Sequence, residues 1–227
     1  MPKKPATLSF INEKISLISK HIPWTYHWIV RRELDSKYRT ILDVGCGTGA
    51  FMYVFNQEGK YKITGVDIHK PAVIEAIKTG IYHKVSLMDI RKLNFKKKSF
   101  DVVISSHVIE HLKKADGYKM LHAIEHIAKN KVIIITPMGE VEQHTYGGNK
   151  YQEHISAWYP EDFAKKGYKV IGQGLNIYRR SNLLNKFLSV IGPLNNLLFI
   201  IHVVLQPFLA TRYKYCHQLI CVKEMNE

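Results

Sequence analysis

A glycine-rich turn after a short apolar run contains the first residues suited to chemistry. Asp43 precedes it, and Gly45, Gly47 and Gly49 then alternate with other residues. Glycines at this spacing let the backbone adopt positive φ and pass close to a ligand at the end of a strand. Alone, the turn also fits an ordinary strand-to-helix connection, so its ligand must be inferred from the residues that follow.

Two further carboxylates each end a predicted strand: Asp67 closes Ile63–Asp67, and Asp89 closes Val85–Asp89. A carboxylate after the second strand can accept both hydroxyls of a ribose, and one after the third can accept from an adenine amino group. With Asp43, this ordered series indicates an adenosine pocket. A dinucleotide loop has the pattern G-x-G-x-x-G, whereas the third glycine here comes one position early, which disfavours NAD.

A segment rich in histidine and glutamate follows the fourth predicted strand. His107, Glu110 and His111 stand at positions i, i+3 and i+4. They would share one face of a helix, which is a spacing found among metal ligands. Glu110 and His111 could equally cap a helix or position a cofactor without any metal.

The pattern H-x-x-E-H of some zinc proteases occurs twice, at His107–His111 and at His122–His126. So short a pattern is easily matched by chance in a chain with 12 histidines. We expect the second copy to be an ordinary face of a crossover helix. A zinc-dependent hydrolase therefore stays a disfavoured alternative of a different class.

Strands that alternate with helices must bring these residues together. The alternation implies parallel pairing with right-handed crossovers. The predicted fold class is therefore α/β, a three-layer, Rossmann-like, mostly parallel sheet with N-terminal helices and a helical insertion before the last strand. The predicted strands are Arg39–Val44, Tyr61–Val66, His83–Leu87, Phe100–Ser105, Lys131–Thr136, Tyr168–Gly172 and Tyr215–Val222, and the predicted helices are Leu8–Lys20, Tyr26–Asp35, Ala50–Gln57, Pro71–Lys78, Gly117–Ala128 and Pro160–Lys166.

The length of 227 residues predicts a single domain over 1–227. We divide it into N-terminal helices (1–38), a core (39–181), an apolar helical insertion (182–213) and a last strand (214–227). Within the insertion, the uninterrupted apolar run Leu197–Ile201 is too short to span a bilayer. The apolar stretch Leu183–Ala210 either packs as buried helices or lies at a membrane interface, with Arg212 among the flanking cations.

The chain is basic, with 33 Lys and Arg against 19 Asp and Glu and a net charge of +14. This balance favours an acidic partner, and we interpret it as surface and membrane-facing charge rather than as a nucleic-acid groove. Cys46, Cys216 and Cys221 are odd in number and lack metal-ligand spacing, so they indicate reduced thiols. With no recognisable secretory signal, the expected location is the cytoplasm, with peripheral contact at the inner membrane face. The oligomeric state is left open.

Four motifs in order resemble the class I S-adenosylmethionine-dependent methyltransferases, particularly small-molecule and lipid enzymes with a V-x-E-H-L motif. They are Asp43–Gly49, Val66–Asp67, Met88–Asp89 and Phe100–Leu112. The resemblance implies a methyltransferase with S-adenosylmethionine as cofactor. By this resemblance, the three glycines would lie along the methionine part of the cofactor. Asp67 would bind the ribose, Asp89 would lie beside the adenine, and Ser106 would lie near the transferred methyl. The full predicted cofactor set is Asp43, Gly45, Cys46, Gly47, Gly49, Asp67, Ile68, Asp89, Ile90 and Ser106.

Two groups within that family, the ubiquinone-pathway O-methyltransferases and the small-RNA 3′-end 2′-O-methyltransferases, hold a divalent metal with E-x-x-E-H and a downstream histidine. Glu110, His111 and His154 match this pattern, while His107 replaces the usual first acid. The resemblance therefore implies a metal set of His107, Glu110, His111 and His154. Imidazole in place of carboxylate shifts the preference from Mg²⁺ toward Zn²⁺, Mn²⁺ or Fe²⁺.

Methyl transfer to an alcohol requires removal of its proton, and histidine is the natural base. We expect His111 to do this, with His154 and His144 as the next candidates. The apolar insertion favours O-methylation of a small or lipid-linked acceptor, such as a glycolipid or isoprenoid intermediate. An RNA 2′-O-methyltransferase with a divalent metal is the alternative, although no RNA-binding module is recognisable. The loop Gln143–Tyr151 is either a lid or a plain surface loop.

Overall fold

Seven strands form one sheet in the computed structural model, which describes residues 17–145, 149–175 and 204–225. The sheet is built from β1 (Thr40–Val44), β2 (Lys62–Asp67), β3 (Lys84–Leu87), β4 (Phe100–Ser106), β5 (Ala128–Pro137), β6 (Lys169–Leu175) and β7 (Cys216–Glu224). Their order across the sheet is β3-β2-β1-β4-β5-β7-β6.

The first five strands are parallel, and β7 inserts antiparallel between β5 and β6. The order reverses at β1, from which the chain runs outward to β3 before returning to β4. Parallel strands place their carboxyl ends on one edge, and ligands bind outside that edge where the order reverses. The predicted mostly parallel α/β sheet, completed by the last strand, is confirmed.

Helices cover the sheet at α1 (Tyr26–Glu33), α2 (Ala50–Tyr53), α3 (Lys70–Thr79), α4 (Lys114–Ile127) and α5 (Pro160–Ala164). Short 3-10 turns occur at Ile90–Lys92, Ile109–His111, Lys150–Gln152 and Tyr213–Tyr215. The predicted N-terminal helix Leu8–Lys20 lies mostly outside the described residues, with 17–19 helical.

The helix predicted over Ala50–Gln57 is shorter than expected because the chain turns after Tyr53. The buried Asn56 fixes the chain after this turn, since its amide donates to the backbone oxygens of Tyr61 and Ile81 at 2.9 Å each. The turn leads directly into β2.

Strand alternation sends neighbouring side chains into two separate cores. In β5, Val132 and Ile134 pack in the cluster that includes α4 and Trp158, whereas Ile133 and Ile135 pack in the cluster that includes α1. Both faces of the sheet are therefore covered, which confirms the predicted three layers.

Close packing of α4 on Trp158 leads to a prediction about Gly117. A Cβ added there would lie 2.4 Å from Cζ2 of Trp158, which is fully buried. We expect Gly117→Ala to destabilise the fold by up to about 2 kcal/mol, since overpacking costs about 1–3 kcal/mol and the gain in helix propensity offsets only roughly 1 kcal/mol of it. Urea unfolding measures this, and a variant as stable as the parent would contradict the packing described.

Most of the predicted apolar insertion lies outside the described residues, which do not include 176–203. Its final part is visible as helical residues 204–209. Among the described residues, no helix has the length and apolarity needed to cross a bilayer.

Candidate active site

The carboxyl ends of β1, β2 and β4 bring the predicted site residues to one edge of the sheet. β1 leads into the glycine turn, β2 ends at Asp67 and β4 ends at Ser106. The turn returns toward β2, since the backbone nitrogens of Gly45 and Cys46 both donate to Val66 O, at 2.8 and 3.0 Å.

Asp67 holds the glycine turn in place through both carboxylate oxygens. Gly47 N donates to Oδ2 and His69 N donates to Oδ1, each at 2.8 Å. Ile68 lies between these two bonds and is half-buried. The structure therefore brings Asp67 and Ile68 beside the turn, as the predicted cofactor set requires.

All three glycines of the turn have positive φ, but their surroundings differ. At Gly45, with φ of 76°, an added Cβ would lie 2.3 Å from a methyl of Val108. At Gly47, with φ of 52°, nothing lies within 4 Å of that position. The backbone at Gly47 thus borders open space, whereas at Gly45 it is packed by protein. Gly49 caps α2.

Cys46 contributes backbone to the turn, because its side chain is buried against β2. Its Sγ would lie 3.0 Å from a Cβ added at Gly65, and burial raises the pKa of the Cys46 thiol. The neutral thiol is therefore not a nucleophile at ordinary pH.

Asp43 is almost completely buried beneath the turn, and its Oδ2 accepts the hydroxyl of Tyr82 at 2.7 Å. Burial raises the pKa of Asp43 to about 7, the Tyr82 bond opposes this rise, and the charge of Asp67 adds to it. A carboxyl with such a pKa gains or loses its proton near neutrality. Sequence reasoning missed Tyr82, which no motif identifies.

We expect Asp43 to make stability fall as pH rises from about 4 to about 7. The folded pKa of about 7 exceeds the ordinary 3.8, so the folded chain keeps a proton that the unfolded chain releases. Unfolding free energy then declines by up to about 1.4 kcal/mol per pH unit. Asp43→Asn should remove this decline. Urea unfolding should therefore show that the unfolding free energy of the variant, relative to that of the parent, increases as the pH is raised from about 4 to about 7.

Asp101→Asn is the control for that experiment. Asp101 accepts the backbone N–H groups of Arg39 and Thr40 at 2.9 Å each. These bonds outweigh the effect of burial and hold the pKa of Asp101 below its usual value. The group is ionised in both states above about pH 5, so its replacement shifts stability equally at every pH there. Parallel pH profiles for Asp43→Asn and the parent would contradict the role assigned to Asp43.

Asp89 and Ile90 follow β3 beside this region. Both Asp89 oxygens are engaged by Arg91, with Nη2 at 2.6 Å from Oδ2 and Nε at 2.9 Å from Oδ1. The guanidinium holds the pKa of Asp89 below its usual value. Ile90 is buried, with 9% of its surface exposed. A carboxylate has about four lone-pair sites, so Asp89 keeps acceptor capacity beyond the Arg91 pair.

The end of β4 links the glycine turn to a neighbouring cavity through consecutive residues. Ser106 Oγ lies 2.9 Å from the Tyr26 hydroxyl, His107 has φ of 55° and lines the cavity, and Val108 packs on Gly45. Tyr26 comes from α1 and carried no sequence signal. The positive φ of His107 turns the chain here.

The predicted helical face of His107, Glu110 and His111 does not form. Only Ile109–His111 is helical, as a 3-10 turn, and the sharp bend at His107 precedes it. The ligand atoms of Glu110, His111 and His154 instead lie within 4.8 Å of one another, and they form the one such group among the described residues. His107 Nδ1 lies 3.4 Å from Glu110 Oε1, outside that group.

Both clustered histidines have their ring orientation set by backbone carbonyls. Nδ1 of His111 lies 3.0 Å from Glu153 O, and Nδ1 of His154 lies 2.8 Å from Val141 O. A carbonyl only accepts, so each Nδ1 carries the proton and each Nε2 keeps a lone pair when the ring is neutral. Burial lowers the pKa of His154.

Glu110 is a buried carboxylate, with 2% of its surface exposed. Oε2 accepts the Thr136 hydroxyl at 3.0 Å, while Oε1 faces His107 Nδ1 at 3.4 Å and has no hydrogen bond of good geometry among the described residues. Burial acts to raise its pKa, but the neighbouring imidazoles of His107 and His111 outweigh burial, so the pKa of Glu110 lies below its usual value. A buried anion with one unsatisfied oxygen can accept a proton, a hydrogen bond or a metal ion.

A cavity of about 440 Å³ adjoins this cluster. Carboxamides and imidazoles supply its polar groups, and Pro137 and Val141 supply apolar surface. His144 is highly exposed, with Nε2 3.1 Å from Glu142 Oε1, and it does not join the cluster. The complete lining is His107, His111, Pro137, Val141, Gln143, Gln152, His154, His217 and Gln218.

The second H-x-x-E-H copy lies on α4, where His122 and His126 are exposed and Ile124 between them is buried. It is therefore an ordinary helical face, as expected. The predicted loop Gln143–Tyr151 is described only in part, because residues 146–148 are not described. Its first residue, Gln143, is held by the segment that follows the loop, since His154 N donates to Gln143 O at 3.0 Å.

Residues 42–136 match a protein-family model described as a methyltransferase domain. This span begins in β1 and ends in β5, so it includes the glycine turn, Asp67, Asp89 and the turn bearing Glu110. No protein of curated function matches the chain in sequence.

Several solved structures share the fold. The PH0226 protein of Pyrococcus horikoshii superposes with a TM-score of 0.59 at 14% identity, covering 98% of this chain and 95% of its own. A SAM-dependent methyltransferase of Archaeoglobus fulgidus gives 0.56 at 16% identity, covering 92% and 98%. The magnesium protoporphyrin IX methyltransferase of Synechocystis, solved with bound SAM, gives 0.51 at 16% identity, covering 96% and 86%.

Proposed function

We propose that the chain is a class I S-adenosylmethionine-dependent methyltransferase that methylates a hydroxyl group of a small or lipid-linked acceptor. The match of residues 42–136 to a methyltransferase-domain model and the fold shared with SAM-dependent methyltransferases support the methyltransferase part of this proposal. One observation carries the hydroxyl assignment. Two imidazoles, each with its Nδ1 at a backbone carbonyl, and a buried carboxylate bring one ligand atom each to within 4.8 Å of one another, beside a cavity that begins at the end of β4. Such a group can take the proton that an alcohol must lose.

The residues of the turn fit the cofactor. Gly47 offers bare backbone facing open space, which a Cβ would fill, and Asp67 anchors the turn while keeping a carboxylate at its edge. Asp43 adds a carboxyl beneath, whose ionised form favours a cationic ligand. Asp67 and Asp89 would hold the adenosine part, and the glycines would border the methionine part. When bound, the cofactor supplies an electrophilic methyl group.

The chain's own contribution to transfer is alignment. In-line displacement is fastest when the acceptor oxygen is held against the methyl, opposite the leaving sulfur. Ser106, His107 and Val108 connect the turn to the cavity within three residues, so the two compartments share one wall. The Tyr26 hydroxyl, bonded to Ser106, covers this wall from α1.

Proton removal falls to the cluster of Glu110, His111 and His154. Nε2 of His111 accepts the acceptor's proton, His154 packs beside that ring, and the Glu110 carboxylate stabilises the imidazolium that results. The carbonyls of Glu153 and Val141 hold the rings so that this nitrogen stays available. His111 remains our first choice, with His154 beside it at a ring separation of 4.9 Å.

The same three residues fit a divalent cation. Two neutral imidazoles with backbone-bonded Nδ1 atoms and one buried carboxylate are the donors that Zn²⁺ or Mn²⁺ prefers. Such an ion would lower the pKa of a bound hydroxyl. It would then replace the histidines as the group that activates the hydroxyl, because a coordinated imidazole nitrogen has no lone pair left for a proton. We therefore propose Glu110, His111 and His154 as ligands, without His107.

Calorimetry with Zn²⁺ and Mn²⁺ on chelator-treated protein tests the metal proposal without relying on activity. Binding of one ion to the parent, its loss in His154→Ala and its retention in His144→Ala would support the site. His144 is the matched control because it is an exposed histidine outside the cluster. Absence of binding to the parent, or equal loss in both variants, would refute the ligand set.

The acceptor class is tested with methyl-labelled cofactor and three fractions of a native extract: polar small molecules, lipids and RNA. We expect label in the small-molecule or lipid fraction, because the cavity walls carry imidazoles and carboxamides rather than a basic groove. Label confined to RNA would replace our acceptor with the RNA 2′-hydroxyl, and label in none would refute the proposed acceptors.

A further inference from the structure

The helical residues 204–209 pack with reversed polarity. Gln206 is completely buried, whereas Val204 and Phe208 have 62% and 64% of their surfaces exposed, and Leu205 has 42%. A surface helix ordinarily turns its apolar side chains inward and its polar ones outward. Here the polar residue faces the protein and the large apolar residues face outward.

The buried glutamine explains why the helix is held this way. Gln206 Nε2 donates to Gly172 O at 2.6 Å, and Gly174 N donates to Gln206 Oε1 at 3.1 Å. Gly172 N also donates to Ala210 O at 2.8 Å. These bonds satisfy backbone groups of β6, the edge strand, which would otherwise be free to pair. The apolar face is thereby fixed outward.

Cations and an aromatic ring follow the apolar residues directly. Arg212 and Lys214 are exposed, and Tyr215 has 47% of its surface exposed. Nζ of Lys214 lies 4.9 Å from the Tyr215 ring centroid, and Arg212 Nη1 donates to Phe208 O at 3.0 Å. Within the described parts of the chain, neither cation lies in a salt bridge with a carboxylate.

This combination matches the chemistry of a bilayer surface. Apolar side chains enter the boundary with the acyl chains, aromatic rings lie at the headgroups, and Lys and Arg meet anionic phosphates. The face also adjoins the acceptor site, because His217 and Gln218, which line the imidazole cavity, follow Tyr215 within three residues. A chain with a net charge of +14 is in addition attracted to anionic membranes over a longer range.

We propose that the 204–215 face, formed by Val204, Leu205, Phe208, Arg212, Lys214 and Tyr215, docks on an anionic lipid bilayer. Docking presents the imidazole cavity near the lipid headgroups, where a membrane-borne acceptor is concentrated. The proposal stands on this surface alone and holds whether or not the acceptor is itself a lipid.

Vesicle flotation of the full chain tests docking, with vesicles of phosphatidylcholine alone or mixed with phosphatidylglycerol. The parent should float with the mixed vesicles, and this binding should weaken as salt rises. The double variant Val204→Ser with Phe208→Ser should lower the partition coefficient at least about tenfold, because it removes the exposed apolar area. Arg212→Ser with Lys214→Ser should weaken the preference for anionic vesicles more than the loss of two charges elsewhere on the surface does.

Matched controls lie on α3, where Ile74 and Ile77 have 44% and 57% of their surfaces exposed. Ile74→Ser with Ile77→Ser should float like the parent. Three results overturn the proposal. The parent does not float, the α3 control loses vesicle binding as strongly as the Val204 and Phe208 variant, or vesicle binding depends only on the total charge of the chain and not on which cations are removed. The last is recognised when Lys96→Ser with Lys97→Ser matches the Arg212 and Lys214 variant.

Other occupants of the face are distinguished by solution measurements on the same variants. If the face joins two copies of the chain, light scattering should give a lower molecular mass for Val204→Ser with Phe208→Ser than for the parent, and the parent should not bind vesicles. If another part of the chain covers the face, the same double variant should lower the urea midpoint of unfolding, and the parent should again not bind vesicles. Either result excludes the bilayer as the occupant.

Discussion

Gly47→Ala is expected to weaken binding of S-adenosylmethionine about 10- to 100-fold, equivalent to roughly 1.4–3 kcal/mol. The added methyl would project into open space next to the turn, where nothing of the protein lies within 4 Å. This absence holds for the described residues, and in our account that space belongs to the cofactor. The φ of 52° also strains a residue with a Cβ, at a cost of about 1–2 kcal/mol to the turn.

Gly80→Ala separates the loss of cofactor space from backbone strain. Gly80 ends α3 with φ of 69° and nothing within 4 Å of an added Cβ, so its replacement imposes comparable strain away from the glycine turn. Calorimetric titration of both variants decides the matter. Equal weakening in the two, or parent-like affinity in Gly47→Ala, would contradict the assignment of this space to the cofactor.

His154→Ala and His111→Ala should each lower turnover about 10²- to 10⁴-fold while leaving cofactor affinity close to that of the parent. Each removes an imidazole of the shared cluster whose ring is oriented by a bond between Nδ1 and a backbone carbonyl. The glycine turn is not touched by either substitution, so cofactor binding and chemistry should separate. Initial rates with saturating cofactor, combined with calorimetry, measure the two effects.

His144→Ala is the control for these variants, since His144 is an exposed histidine that pairs only with Glu142 among the described contacts. It should retain the parental rate. A rate unchanged in both cluster variants, or a drop in His144→Ala as large as theirs, would show that the proton leaves by another route.

The juxtaposition of the residues that we propose for the cofactor could be predicted from the sequence because they occupy short, ordered motifs. Gly45, Gly47 and Asp67 stand at strand ends, and parallel pairing then brings strand ends together. Tyr82 and Tyr26 could not be predicted. They reach Asp43 and Ser106 across 39 and 80 residues, and a single tyrosine carries no spacing signal.

The arrangement of the histidine and glutamate cluster was predicted only in part, since the expected shared face of positions i, i+3 and i+4 requires a continuous α-helix. His107, Glu110 and His111 would share a face in such a helix, but the positive φ at His107 and the 3-10 turn that follows break the period. His154 joins the cluster because the backbone N–H groups of residues 155 and 156 both bind Glu110 O. That long-range docking has no counterpart in local sequence.

The location of the transferred methyl in the product tests the central claim most directly. Parent protein, an active extract fraction and ¹³C-methyl cofactor should yield one labelled product, whose carbon resonance identifies the atom that received the methyl group. We predict a methyl ether oxygen, with labelling lost in His154→Ala and retained in His144→Ala. A methyl on nitrogen or carbon, or labelling that persists in His154→Ala, would contradict hydroxyl activation by the cluster of Glu110, His111 and His154.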